Sequence, residues 1–230
     1  MRVRKTMKAF AVATAVGACG GGGTSPEPDF RISIGAVPST TLGMQVALTV
    51  TLTSTGFGGP VTLNVTGVPA SWSADIAGGN TANLISNLTA TKTVTLTIPS
   101  NAAPAPGGQQ ITVTATGASG THSASRSVTV TNEFIVVMPN GTGGGVHWGA
   151  VVGTIVQLKV GTAFRFRNDD GTTHQIHFDG DIPGFVHQPD PGITQGQSYV
   201  VTPTGVGTED NVHCHIHGTG VGTFTVVVSN

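Results

Sequence analysis

An all-β chain made of two successive β-sandwich units is the fold that three observations predict. Of 230 residues, 34 are Gly and 13 are Pro, so about a fifth of the chain consists of residues that helix interiors avoid. Apolar Val, Leu and Ile alternate with Thr and Ser, as in Val46-Ala-Leu-Thr-Val-Thr-Leu and Thr93-Val-Thr-Leu-Thr-Ile, which is the period of half-buried strands. Gly- and Pro-rich breaks at short, regular spacing separate these runs. Only 9% of residues are charged, 38% are hydrophobic and the formal net charge is -1, a balance that argues against nucleic-acid binding and against charged disorder. No run reaches the roughly 18–20 apolar residues of a membrane span.

The first element reads as an export signal. Arg2, Arg4, Lys5 and Lys8 precede an apolar or small stretch, residues 9–18, that ends at Cys19. Val16-Gly17-Ala18-Cys19 resembles a bacterial lipobox, which implies a signal over residues 1–18 and lipid attached to Cys19. A plain signal cut after Ala13-Thr14-Ala15 is the alternative. Residues 19–29, with Gly20 to Gly23 and Thr24 to Pro28, form a flexible linker. Both readings export the protein to the periplasm or cell surface, and the lipobox reading adds membrane contact only through an N-terminal lipid anchor. Cleavage at Cys19 leaves six basic residues against eleven acidic, a mature charge of -5.

Residues 30–132 are expected to hold about seven short strands, broken at Gly56 to Pro60, Gly67-Val-Pro69, Gly78-Gly-Asn80 and Pro104 to Gly108. The order of elements resembles the immunoglobulin-like repeats of exported bacterial proteins, and the resemblance implies a spacer. With one acidic residue, Asp75, one His, His122, and no Cys, this segment offers no chemistry.

Composition changes after Asn132. Residues 133–230 contain seven of the eight His and eight acidic residues against three basic. Strand-like runs recur at Phe134 to Met138, Thr154 to Val160, Ala163 to Arg167, Gln175 to Phe178, Ser198 to Thr202 and Thr223 to Val228, which predicts a second sandwich or barrel. Near its end lies Val212-His-Cys-His-Ile-His-Gly, read as a short loop running into a closing strand, and about forty residues earlier lies Asn168-Asp-Asp-Gly-Thr-Thr-His-Gln-Ile-His-Phe. Once Cys19 carries lipid, Cys214 is a lone thiol in an oxidising compartment, flanked by His213, His215 and His217. Two imidazoles and one thiolate form the ligand set of a blue-copper centre.

Residues 133–230 resemble a cupredoxin, the plastocyanin-like blue-copper family. Asn168 and His174-Gln-Ile-His-Phe178 match the family's first His in its Asn-containing turn, and Cys214-His-Ile-His217 followed by residues 222–228 matches its Cys-x-x-His loop and closing strand. The resemblance implies a Greek-key β-sandwich, one type 1 copper ion held by His174, Cys214 and His217, and a one-electron carrier that is not an enzyme. It also implies a redox protein partner, and the acidic balance suits a basic cytochrome. The family's axial Met is missing here, because no Met follows Met138. That position is either vacant and walled by Val221, filled by a backbone carbonyl near Thr173, or taken by a neighbouring His.

Other readings stay open at this level. A His-rich loop can bind and deliver copper without exchanging electrons. A His-Cys-His core also occurs in multicopper oxidases, so the chain could be one subunit of such an assembly, although the first segment supplies only His122. Zinc binds Cys and His too, but a structural site usually has a second Cys pair. His213 and His215 point away from Cys214 on an alternating strand, as an electron port, a secondary metal site or solvated residues. His177 is expected on the opposite face from His174, His147 and His187 in surface loops, and Asp169, Asp170, Asp179, Asp181 and Asp190 on a solvated face.

Overall fold

The computed structural model describes residues 27–140, 148–218 and 222–230. The signal, Cys19, His147 and Val221 lie outside the described residues. No helix among the described residues is long and apolar enough to cross a membrane.

The described chain is all-β. Its first strands are β1 (Asp29–Ile34), β2 (Thr40–Leu42), β3 (Gln45–Thr55), β4 (Gly59–Thr66), β5 (Ser73–Ile76), β6 (Thr81–Leu84), β7 (Thr89–Thr97), β8 (Ala105–Gly117) and β9 (Gly120–Met138). Nine strands thus begin where about seven are expected, because β2, β5 and β6 are only three or four residues long and lack a full alternating run. Strands β1, β3, β7 and β5 form one sheet in the order β1-β3-β7-β5. Against it lie β9, β8, β4 and β6, and inward Val46, Leu48, Val50, Leu52, Val61, Leu63, Ile111 and Val113 fill the space between. The Thr and Ser of the same strands face out and pair across them, as in Thr112 with Ser125 and Thr114 with Ser123, at 2.7 and 2.9 Å.

Strand β9 crosses the change in composition at Asn132 without a break. Its inward residues Val128, Val130, Phe134, Val136 and Met138 keep one parity, and only Asn132 in that series is exposed. At this point β9 exchanges partners. It pairs antiparallel with β8 up to Val130, then parallel with β11 (Ala163–Asn168) from Glu133 to Met138. One long strand therefore serves both halves of a seven-stranded sheet that ends in β13 (Ser198–Val201).

The second sheet of the C-terminal half consists of β10 (Ile155–Lys159), β15 (Phe224–Ser229), β14 (Gly207–Cys214) and β12 (Ile176–His177), in the order β10-β15-β14-β12. An aromatic cluster packs beneath it. Trp148 meets Phe166 and Phe224 edge-on at 5.8 and 5.7 Å, and Phe178 meets Phe185 at 4.7 Å. Cys214 ends strand β14 rather than lying in a loop. The strand is hard to read from Gly-Thr-Glu-Asp-Asn-Val-His-Cys because it is polar and irregular: the register slips between Glu209 and Val212. That bulge puts Glu209, Val212 and Cys214 all on the buried face. Glu209 is fully buried and accepts from the backbone N–H groups of Asp179, Gly180 and Asp181 at 2.6, 3.2 and 3.2 Å.

Candidate metal centre

Three segments converge at one end of the C-terminal half. The pairing of β12 with β14 sets Ile176 opposite Cys214 and His177 opposite His213. Gln175 continues this contact on both sides: its N–H points at Cys214 Sγ, 3.4 Å away, and its carbonyl accepts from His215 N at 2.8 Å. After Cys214 the chain turns sharply, with the N–H groups of His217 and Gly218 both bonded to the Cys214 carbonyl at 3.2 and 2.8 Å. Gly218 takes φ 70°, a left-handed conformation suited to glycine. This turn brings His217 Nδ1 to 3.2 Å from Cys214 Sγ.

His174 arrives from the other side. Its N–H donates to the Ile193 carbonyl at 3.0 Å, and Ile193 N–H returns the bond to the His174 carbonyl at 2.7 Å. Asn168 anchors the turn before it: its side-chain amide donates to the carbonyls of Thr172 and Ile193 at 2.7 and 2.8 Å, and its Oδ1 accepts from Asp170 N. Gly192 has φ +91°, and a Cβ there would run into the His174 carbonyl, so only glycine lets these two strands of loop approach so closely.

The expected trio of His174, Cys214 and His217 is thus brought together, with one donor atom from each within 4.8 Å of the others. His174 and Cys214 are completely buried, and His217 is half-buried. The His174 and His217 rings lie 5.0 Å apart at 51°. Asp170 departs from the expected solvated face. It is 2% exposed and accepts at Oδ2 from His174 Nε2 at 3.0 Å and from Thr172 Oγ1 at 2.7 Å. A carboxylate only accepts, so Nε2 carries the ring proton and Nδ1 is the nitrogen with a lone pair for a ligand. The sequence signal was its place four residues before His174 in an Asn-Asp-Asp-Gly turn, where acidic side chains are usually solvated.

Burial holds the His174 imidazole below its ordinary pKa, partly opposed by the bond to Asp170 and reinforced by His217. In the metal-free protein this ties stability to pH. Between the depressed folded value and the ordinary 6.5, the unfolded chain binds a proton that the folded chain does not. Stability is therefore expected to fall as pH drops from 6.5 through that window, seen as a lower urea midpoint at pH 5 than at pH 7.5; an unchanged or higher midpoint would contradict it.

A second group of imidazoles forms around His213 and His215, apart from the Cys214 group. Donor atoms of His177, His187 and His215 lie within 4.8 Å of one another. His187, expected in an exposed loop, is half-buried in that group.

The chain matches no family model and no curated protein. Solved structures similar to it include an oxidised methionine-to-leucine variant of amicyanin, at 22% identity over 42% of this chain and 81% of that one, with a TM-score of 0.32. A purple cupredoxin from Nitrosopumilus maritimus matches at 21% identity over 41% of this chain and 98% of that one, with a TM-score of 0.33.

Proposed function

We propose that the protein is an exported, mononuclear copper protein that carries single electrons, with His174, Cys214 and His217 as its copper ligands. The observation that carries this reading is the donor set itself: two imidazoles and one thiol within 4.8 Å of one another, with the thiol and one imidazole sealed from water. A soft thiolate with two imidazoles suits both copper oxidation states, and the bound ion would supply the one-electron couple.

The surrounding residues prepare the site. Asp170 fixes the tautomer of His174 and raises its basicity, as a carboxylate behind a ligating His does. Gln175 N–H, aimed at Sγ, withdraws electron density from the thiolate and favours the reduced state. His217 is the ligand nearest solvent, beside exposed Ile216, and marks the side where electrons enter and leave. Asp179, Asp181, Asp190 and Asp210 are exposed in the same half and favour a basic redox partner such as a cytochrome. Residues 30–132 then act as an immunoglobulin-like spacer that holds this half away from the membrane to which Cys19 is anchored. Catalysis is no part of this function.

One equivalent of Cu(II) added to the mature chain should produce an intense visible thiolate-to-copper band and a narrow-hyperfine EPR signal, with one copper bound per chain at that site. Weak absorption alone, or zinc held in preference to copper, would refute the carrier reading. Asp170→Ala should lower copper affinity about 10–100-fold, the cost of losing an outer partner of a ligating His, as measured by competition with a chelator. Unchanged affinity would remove Asp170 from the site.

A further inference from the structure

The hydrogen bonds around the second histidine group assign lone pairs to His187 Nε2 and His177 Nδ1 and a displaceable proton to His215 Nδ1. His187 Nδ1–H donates to the Gln188 carbonyl at 2.8 Å, and a carbonyl only accepts, so His187 Nε2 is bare. His177 Nε2–H donates to Asp179 Oδ1 at 3.1 Å, which leaves Nδ1 bare; that atom is buried and has no hydrogen-bond partner among the described residues. His215 Nδ1 lies 3.1 Å from His187 Nε2 and donates to it. The other nitrogen of His215, on an exposed residue, is free to take that proton. The rings are packed at varied angles: His177 meets His187 at 4.4 Å and 89°, and His215 at 5.2 Å and 89°. His213 closes the group, 4.4 Å from His177, with its own Nδ1–H held by the Asn211 carbonyl at 2.9 Å.

We propose that His177, His187 and His215 form a second metal site, on the opposite face of the β12–β14 pair from Cys214, for a divalent first-row ion of the zinc or copper(II) class. Three neutral imidazoles are the donor set such ions prefer, with a fourth position left to water. Ligands at 2.0–2.1 Å around a tetrahedral ion stand roughly 3.4 Å apart, so nitrogens within 4.8 Å of one another need only small side-chain rotations to close on one. Ligation displaces the proton shared between His187 and His215 and moves it to His215 Nε2. Asp179 stands behind His177 as Asp170 stands behind His174, the carboxylate–imidazole arrangement that orients metal ligands. Glu209 holds the Asp179 backbone in place. Burial and the neighbouring rings of His213 and His187 also keep the His177 imidazole below its ordinary pKa, which favours its neutral, ligating form. This site does not depend on copper binding at the first.

The test uses the full mature chain carrying Cys214→Ser, which removes the thiolate from the first site, and Zn(II) as the probe. One equivalent of zinc should shift the ring ¹⁵N resonances of His177, His187 and His215 and leave those of His122 in place. His187→Ala in the same background should weaken zinc binding more than about 100-fold, beyond the 10–100-fold that losing an outer partner costs. If the three rings do not shift, or if shifts are confined to His174 and His217, the site does not exist. Zinc held as tightly by the His187→Ala variant would equally overturn the proposal. Should His187→Ala fail to fold, the ring resonances of the Cys214→Ser chain decide between these outcomes on their own.

Discussion

Cys214→Ser is expected to abolish the intense visible band of the copper-loaded protein while leaving the fold in place. The band requires a thiolate, and Cys214 is the one Cys among the described residues. Serine matches its shape, but its hydroxyl does not ionise at neutral pH and is a hard donor, poorly suited to Cu(I). The cost to the fold is small, because Gln175 N–H can donate to the new oxygen as it points at sulfur now. A buried hydroxyl in place of a thiol should cost about 1 kcal/mol, a shift in Tm of about 2–8 °C for domains of this size. Optical spectra and thermal unfolding of the two proteins side by side check both halves of this expectation. A variant that keeps the band would move the thiolate site away from Cys214. A variant that fails to fold would show the thiol to be a packing element first.

Glu209→Gln is expected to be the most destabilising conservative change in the C-terminal half. Three backbone N–H groups converge on the buried carboxylate. An amide has one oxygen to accept with, and its NH₂ group would face N–H donors that it cannot satisfy. Charge-assisted hydrogen bonds contribute about 1.5–3 kcal/mol each, and breaking a buried arrangement costs more than its net contribution. A loss of about 3 kcal/mol is expected, read as a lower urea midpoint with an unchanged slope. The turn at residues 179–181 should loosen with it, and with that turn the carboxylate that orients His177. A change below about 0.5 kcal/mol, the size of an ordinary surface substitution, would contradict the role given to Glu209.

Where apolar and polar residues alternate strictly, the strands were legible in the sequence. Val46 to Leu52 and Phe134 to Met138 lie in strands as their period requires, and β10, β11, β13 and β15 fall within a residue or two of the expected runs. Strand β14 was not legible as a regular strand, because a bulge and an inward glutamate break the pattern that alternation relies on. The continuity of β9 through Asn132 was hidden for a related reason: composition changes there, but the parity of the inward residues does not. At the candidate metal centre, the cupredoxin resemblance pointed to His174, Cys214 and His217, since the motif and its thiol and imidazole chemistry are carried in residue identity. Asp170 did not stand out, because a carboxylate becomes part of a site only when a neighbouring turn buries it. The grouping of His177 and His187 with His215 depends on the register that sets His177 against His213, which is a fact of strand pairing rather than of spacing.

As a carrier, the protein is expected to cycle one buried copper ion between two oxidation states in place. Protein-film voltammetry of the mature, copper-loaded chain tests it most directly. A single reversible one-electron wave, stable over repeated cycles and absent from Cys214→Ser, is the predicted result. An irreversible wave, copper lost on reduction, or an identical wave from Cys214→Ser would contradict it.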